Sequence, residues 1–424
     1  MKQRKRLFAA LLAALALAGC SGGGFTGRNV EELLRAPQPS AVQSAVQAAL
    51  NSYLGETLQL KYPRGGDEMA PFLFADFDGD GQGEAAVLYT TEAKGQNVHL
   101  AVLEPVQDAW EVASEAEGMS TEVASLELVH MIAGGFQLVV GFANANLAEK
   151  YLTIYTYADG VLRADYQQAY EQYLAADLNG DGAVELALVP TPAQPGTPAS
   201  LQLLVASEGR LMPVQTVELH ESIAKCTGLA TTYYGKRRGL VVDGALSAGG
   251  STNEVFCLLD DRLYAWPMGT AGQVVEDAAR TLQNLPAADL TGLGVVCVPV
   301  VTQALRTETG AGRLYFVEWN NYLAPDPLAQ WGVFDAQVGV FLRLPLSWRD
   351  KVTVRDGTLT DSWQLRDAET DELLLTVRTL GRSEEIGNYT LLAQAGEKQV
   401  VAFFADACPA AEAALITRGA RALL

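Results

Sequence analysis

The chain has 424 residues, 49% of them hydrophobic, which is enough to bury the cores of two or three domains. With 50 acidic against 30 basic residues its formal charge is −20, a balance that repels nucleic acid and anionic headgroups and favours divalent cations. Its three histidines, His99, His130 and His220, stand far apart without metal-ligand spacing, which argues against a His-rich zinc site.

The N-terminus reads as an export signal. Lys2, Arg4, Lys5 and Arg6 precede an apolar run from Leu7 to Ala16. That run falls short of the roughly 20 residues a permanent membrane helix needs, and it fits the apolar core of a cleaved leader. Leu17-Ala18-Gly19-Cys20 follows it and resembles the bacterial lipobox. The resemblance implies cleavage before Cys20, a lipid on its thiol, and an extracytoplasmic protein anchored to a membrane. Ser21 to Gly24 then read as a flexible tether. Gly19 to Gly23 also satisfies the Gly-x-Ser-x-Gly hydrolase pattern, but it straddles the cleavage point. Removing the four basic leader residues takes the charge to about −24. No later apolar run is long enough for a second span. Cys226, Cys257, Cys297 and Cys408 could pair as disulfides or lie buried as thiols; their spacing fits no metal site.

Residues 29 to 54 have helical character, with Ser40 as a cap and Val42, Val46, Leu50 and Leu54 on one face. From Leu58 to about Asp335 the pattern changes to short strands. Glu84–Tyr89, Val98–Leu103, Gln137–Gly141, Leu152–Tyr157, Glu185–Val189, Leu201–Ala206, Gly239–Val242, Val255–Leu259 and Arg313–Glu318 alternate with polar or Gly/Pro turns. Many short strands of this kind mean an all-β sandwich, barrel or propeller.

An internal repeat favours the propeller. Asp76-Phe-Asp-Gly-Asp-Gly-Gln-Gly-Glu84 precedes one strand and Asp177-Leu-Asn-Gly-Asp-Gly-Ala-Val-Glu185 another. A worn third copy runs from Asp289 to Cys297, with Thr291 and Leu293 where acids would stand. Intervals of 101 and 112 residues each hold two blades at roughly 40 to 50 residues per four-stranded blade. Five or six blades fit the length, with blades lacking acidic loops starting near Val129 and Gly228, and Leu58–Tyr62 as a strand to close the ring.

The acidic loops carry the sharpest chemistry. Asp76, Asp78, Asp80 and Glu84 occupy positions 1, 3, 5 and 9, and the carbonyl of Gln82 sits at position 7. Alternate residues of a tight loop can turn their oxygens inward, forming a hard cage suited to calcium. Asp177, Asn179, Asp181, Glu185 and the carbonyl of Ala183 form a second such set. Position 12 is Val87 or Leu188, which excludes an EF-hand loop. The ninth-position acid instead resembles the calcium loops of FG-GAP and VCBS repeats in integrin-type β-propellers. That resemblance implies two structural calcium ions. Leu60-Lys-Tyr-Pro-Arg-Gly-Gly-Asp67 before the first loop is similar to a motif of uncharacterised lipoproteins of Clostridia-like bacteria, and this similarity adds fold rather than activity.

Beyond about Val338 the sequence predicts antiparallel strands from Val340 to Ala405 and a helix from Pro409 to Leu423. The opening Leu344-Pro-Leu-Ser-Trp348 is similar to small α+β domains of the PsbP-like kind. The expected domains are therefore a leader (1–20), a linker and helix (21–56), a calcium-loop propeller (57–336) and a C-terminal α+β domain (337–424). Trp348 and Trp363 read as core residues rather than sugar platforms. Glu318, Asp326 and Asp335 are acids among aromatic residues, yet no nucleophile and base accompany them. The sequence thus points to a non-enzymatic surface module that binds a protein, glycan or cell-wall ligand and no nucleic acid. An enzyme acting on a surface polymer is the alternative.

Overall fold

The structure, a computed structural model, describes residues 40–423 except 133, 195, 208, 283, 284, 308 and 309. Cys20 and the tether lie outside the described residues. The first described element is the helix Ala41–Leu54. Ser40 caps it by accepting from the Gln43 backbone N–H (3.1 Å), while the Gln43 side chain accepts from Ser40 N (2.9 Å). Val46 and Leu50 face inward; Val42 is exposed.

The chain then builds a succession of four-stranded antiparallel meanders. The first comprises Phe72–Ala75, Glu84–Thr90, His99–Val106 and Ala109–Glu117. The second runs Glu122–Val129, Gln137–Ala143, Lys150–Ala158 and the first half of the long strand Val161–Ala176. That strand's second half opens the third meander, with Glu185–Pro190, Ser200–Ser207 and Arg210–Glu218. The fourth is Ile223–Tyr234, Arg237–Leu246, Ser251–Leu259 and Arg262–Ala265. The fifth is Val298–Thr307, Gly310–Asn320, Leu328–Asp335 and Val340–Leu344. A last sheet pairs Val352–Asp356, Ser362–Asp367, Leu373–Gly381, Lys398–Phe404 and Thr390–Ala395.

Some central strands are buried on both faces, which is why they read as continuous apolar runs: Glu84–Thr90 and Gln137–Ala143 are buried throughout. Neighbouring meanders share cores. Leu88, Leu100 and Val102 of the first pack with Leu126, Val140 and Phe142 of the second. Val139 and Ile154 of the second pack with Leu186 and Leu204 of the third. Leu201 and Leu203 of the third pack with Leu240, Val242 and Phe256 of the fourth. Between the fourth and fifth, Val241 and Val255 meet Val298 and Leu323 around the helix Ala271–Ala278.

The row is covered at both ends by local elements. The outer face of the first meander packs on Val46 and Leu50 of the N-terminal helix. The outer face of the fifth packs on the last sheet and on Ile416 of the helix Ala410–Gly419. Among the described residues, buried clusters join each sheet only to its neighbours in chain order, so no closed ring is seen. The strand expected to close a ring does not do so: Gln59 and Leu60 pair with Thr90 and Tyr89, within the first meander. The expected boundary at 336/337 also shifts. Val340–Leu344 is the fourth strand of the fifth meander, paired with Trp331–Asp335, and Arg421–Ala422 returns to pair with it. Hairpin geometry decides this, because only the four residues Ala336 to Gly339 separate Asp335 from Val340 of its partner strand, in a turn closed by Gly339 N donating to Asp335 O (2.9 Å). The C-terminal helix ends at Gly419, earlier than its apolar pattern suggests.

Candidate metal centre

The first acidic loop joins strand Phe72–Ala75 to strand Glu84–Thr90, so its ends are pinned by the pairing of Ala75 with Glu84. Inside it, Asp76 folds the turn. Its Oδ1 accepts from Gly79 N (2.7 Å) and its Oδ2 from Gly81 N (3.0 Å). Asp78 accepts from Asp80 N (3.2 Å) and Asp80 from Gln82 N (2.7 Å). Gly79 takes φ +77°, and a Cβ there would stand 2.3 Å from the carbonyl oxygen of Gly134. The loop therefore packs backbone to backbone on the turn of the second meander, where Phe136 N donates to Phe77 O (3.0 Å).

One carboxylate oxygen from each of Asp76, Asp78, Asp80 and Glu84 falls within 4.8 Å of the others, the one such acidic group among the described residues. Glu84 is 3% exposed and accepts from Phe77 N (2.7 Å). Burial pushes its carboxyl up to about 7; the Phe77 bond opposes this, and the charges of Asp78, Asp76 and Asp80 add to it. Four hard oxygens, three of them on aspartates whose charges disfavour the ionised Glu84, fit a divalent cation of the calcium type, which would supply a counter-charge.

The second loop repeats the scaffold. Asp177 accepts from Gly180 N (2.6 Å) and Gly182 N (3.1 Å), Asn179 from Asp181 N (2.8 Å), and Asp181 from Ala183 N (2.8 Å). Buried Glu185 accepts from Leu178 N (2.7 Å), and burial raises its pKa. With Asn179 in place of an acid, this loop does not bring three carboxylates within the same distance. It gains a neighbour that sequence spacing could not reveal. Asp261, from a turn of the fourth meander, accepts from Asn179 Nδ2 (3.1 Å) and lines a recess of about 220 Å³ with Asn179, Asp181, Ala183 and Glu185. The residues are 82 positions apart, so the row's stacking alone joins them.

The third copy separates turn-making from ligation. Asp289 accepts from Gly292 N (2.9 Å) and Gly294 N (2.5 Å), the same pattern as Asp76 and Asp177, although Thr291 and Leu293 have replaced the acids. The first Asp is thus needed by the turn itself, and the remaining acids are surplus to it. Ala288 and Cys297 bridge across this loop as Ala75 and Glu84 do across the first.

Other residues singled out by sequence fall elsewhere. Cys226, Cys257, Cys297 and Cys408 are free and buried. Trp348 and Trp363 are 9% and 2% exposed in the core shared with the last sheet. Glu318 pairs with Arg349, and Asp335 with Arg313 (3.0 Å). His99 lies against Tyr89, His130 against Phe136, and His220 Nδ1 meets Ser222 Oγ at 2.8 Å. No described helix is long and apolar enough to cross a membrane.

No protein-family model matches the chain, and no curated protein matches it. Among solved structures, a protein from Lactobacillus plantarum is similar at 12% identity and TM-score 0.29, covering 72% of this chain and 83% of its own. An exotype rhamnogalacturonan lyase is similar at 12% identity and TM-score 0.32, over 81% of this chain and 71% of its own. A Bacillus licheniformis rhamnogalacturonan lyase follows at 10% identity and TM-score 0.30, over 74% and 69%.

Proposed function

We propose that the chain is an extracytoplasmic lipoprotein, held to a bacterial membrane through Cys20, that displays a calcium-stabilised row of propeller-type blades as a binding module. Its ligand is a protein, glycan or cell-envelope component. The observation that carries the calcium reading is the convergence of Asp76, Asp78, Asp80 and Glu84 within 4.8 Å. The third loop supports it, since the turn keeps its hydrogen bonds there without those acids. The five meanders are read as blades stacked in an open row, with the second loop as a weaker calcium site that draws on Asp261. The anchor rests on the sequence from Lys2 to Cys20.

The test is capture from whole envelope extract by the lipidated chain, with calcium and with chelator. A discrete partner retained in calcium and reduced in chelator supports the reading. Cleavage of an envelope polymer by the chain would instead establish a hydrolase or lyase. Recovery of nothing beyond what a denatured chain retains would reject the binding role.

A further inference from the structure

A recess of about 300 Å³ opens where the third loop, the fifth meander and the C-terminal helix meet. Three arginines line it: Arg343 from the strand Val340–Leu344, and Arg418 and Arg421 from the end of the helix Ala410–Gly419 and the strand that follows. Among the described residues no carboxylate lies within ion-pair distance of any of the three. In a chain of net charge −20, three arginines that line one recess with no ion-paired carboxylate among the described residues call for a cause.

The helix terminus accounts for two of them. A C-terminal dipole favours Arg418, and Arg421 Nη1 donates to the carbonyls of Arg418 and Ala420 (both 2.8 Å). It does not account for Arg343, whose guanidinium makes no hydrogen bond among the described residues. Nor does it account for Gln330, which is 7% exposed and lines the recess with its side-chain amide unpartnered. An amide and a guanidinium fork that open on one recess offer donors that water or a ligand can satisfy. Gly419 lets them approach: a Cβ there would stand 2.7 Å from Arg343 Cβ and 3.0 Å from its Cδ. The third loop supplies the remaining wall. Where the other loops carry Asp78 and Asn179, this one presents Thr291, so the third loop lines the recess with no charge.

We propose that this recess binds an oxyanion, the carboxylate or phosphate group of a sugar-sized ligand. Planar guanidinium forks match either group, and the volume suits one small polar molecule. The site gives a ligand chemistry to the binding role above, and it stands on residues separate from the calcium loops.

Calorimetric titration of the full chain in non-ionic micelles, with chelator present, uses glucuronate, glucose 6-phosphate and glucose as probes. Binding of either acid without binding of glucose is expected, and which acid binds identifies the source of the oxyanion. Arg343→Met and Thr291→Asp should each weaken that binding about tenfold or more, the first by removing a charged donor and the second by placing an internal carboxylate beside the arginines. Thr291 is exposed, so this variant carries the test if Arg343→Met fails to fold. Arg382→Met, at an exposed arginine outside the recess, should change nothing. No heat from either acid, equal binding of glucose, or equal weakening by Arg382→Met overturns the proposal. Envelope capture by a chain whose recess is silent in this titration would reject the recess while leaving the surface role standing.

Discussion

On the proposed calcium reading, Glu84 makes ion binding at the first loop a proton-linked event, and the size of the linkage follows from its surroundings. In the calcium-free chain burial holds its carboxyl up near 7, aided by Asp78, Asp76 and Asp80, against an ordinary value of 4.5. The raised value means that the folded chain binds more protons than the unfolded chain between about 4.5 and 7, so calcium-free stability falls as pH rises through that window. Calcium needs the ionised form, so its affinity moves the opposite way. Single-site linkage makes the dissociation constant about tenfold larger at pH 6 than at pH 8, with nearly one proton released per ion bound at the lower pH. Calorimetry in two buffers of different ionisation enthalpy counts that proton. Glu84→Gln should abolish the release and flatten the pH dependence of calcium-free melting. Calcium binding at the first loop with no proton released at pH 6, or release unchanged in Glu84→Gln, would refute the reasoning.

Three further outcomes follow from the same structure. Cys20→Ser removes the acceptor thiol, so radiolabelled fatty acid should no longer enter the protein; label still incorporated contradicts the anchor. A fragment from Pro345 to Leu424 should lack a cooperative thermal transition, because Trp348, Leu365 and Val377 share one core with Leu314, Phe316 and Trp331 of the fifth meander. A sharp melt of that fragment by circular dichroism contradicts the shared core. Ser40→Ala should cost about 1 kcal/mol in a denaturant titration, through loss of the capping box on the N-terminal helix; an unchanged midpoint contradicts it.

What was legible in the sequence was the part that burial makes conspicuous. Central strands such as Glu84–Thr90 and Gln137–Ala143 pack on both faces and stand out as apolar runs. Their outer neighbours hide. Ala109–Glu117 alternates half-buried residues with acids, and Val161–Ala176 carries a Tyr/Gln/Ala-rich stretch whose composition suits a helix. Tertiary pairing overrides that propensity, because the strand must serve two meanders at once. Ring closure could not be read from strand count, since it depends on what covers the end faces. The helix at Val46 and Leu50 and the sheet at Trp363 and Leu365 do so here. The candidate loop ligands were legible because each set falls within nine consecutive residues. Asp261 and the Arg343–Arg418–Arg421 recess were not, because stacking and chain return bring their members together across long sequence separations.

Calcium titration of a calcium-free chain starting at Ser21 tests the central claim most directly. Heat should reveal two sites, the first loop tighter because its four carboxylates exceed the second loop's Asp177, Asp181 and Glu185 by one charge. At affinities of about 10⁻⁴ to 10⁻³ M, millimolar calcium would stabilise the fold by only ~0.6 to 1.4 kcal/mol per site. Asp80→Ala should silence the first site and spare the second, and Asp181→Ala the reverse. A titration without heat up to several millimolar, together with a melting curve that chelator leaves unmoved, would show the loops to be turns that hold no ion.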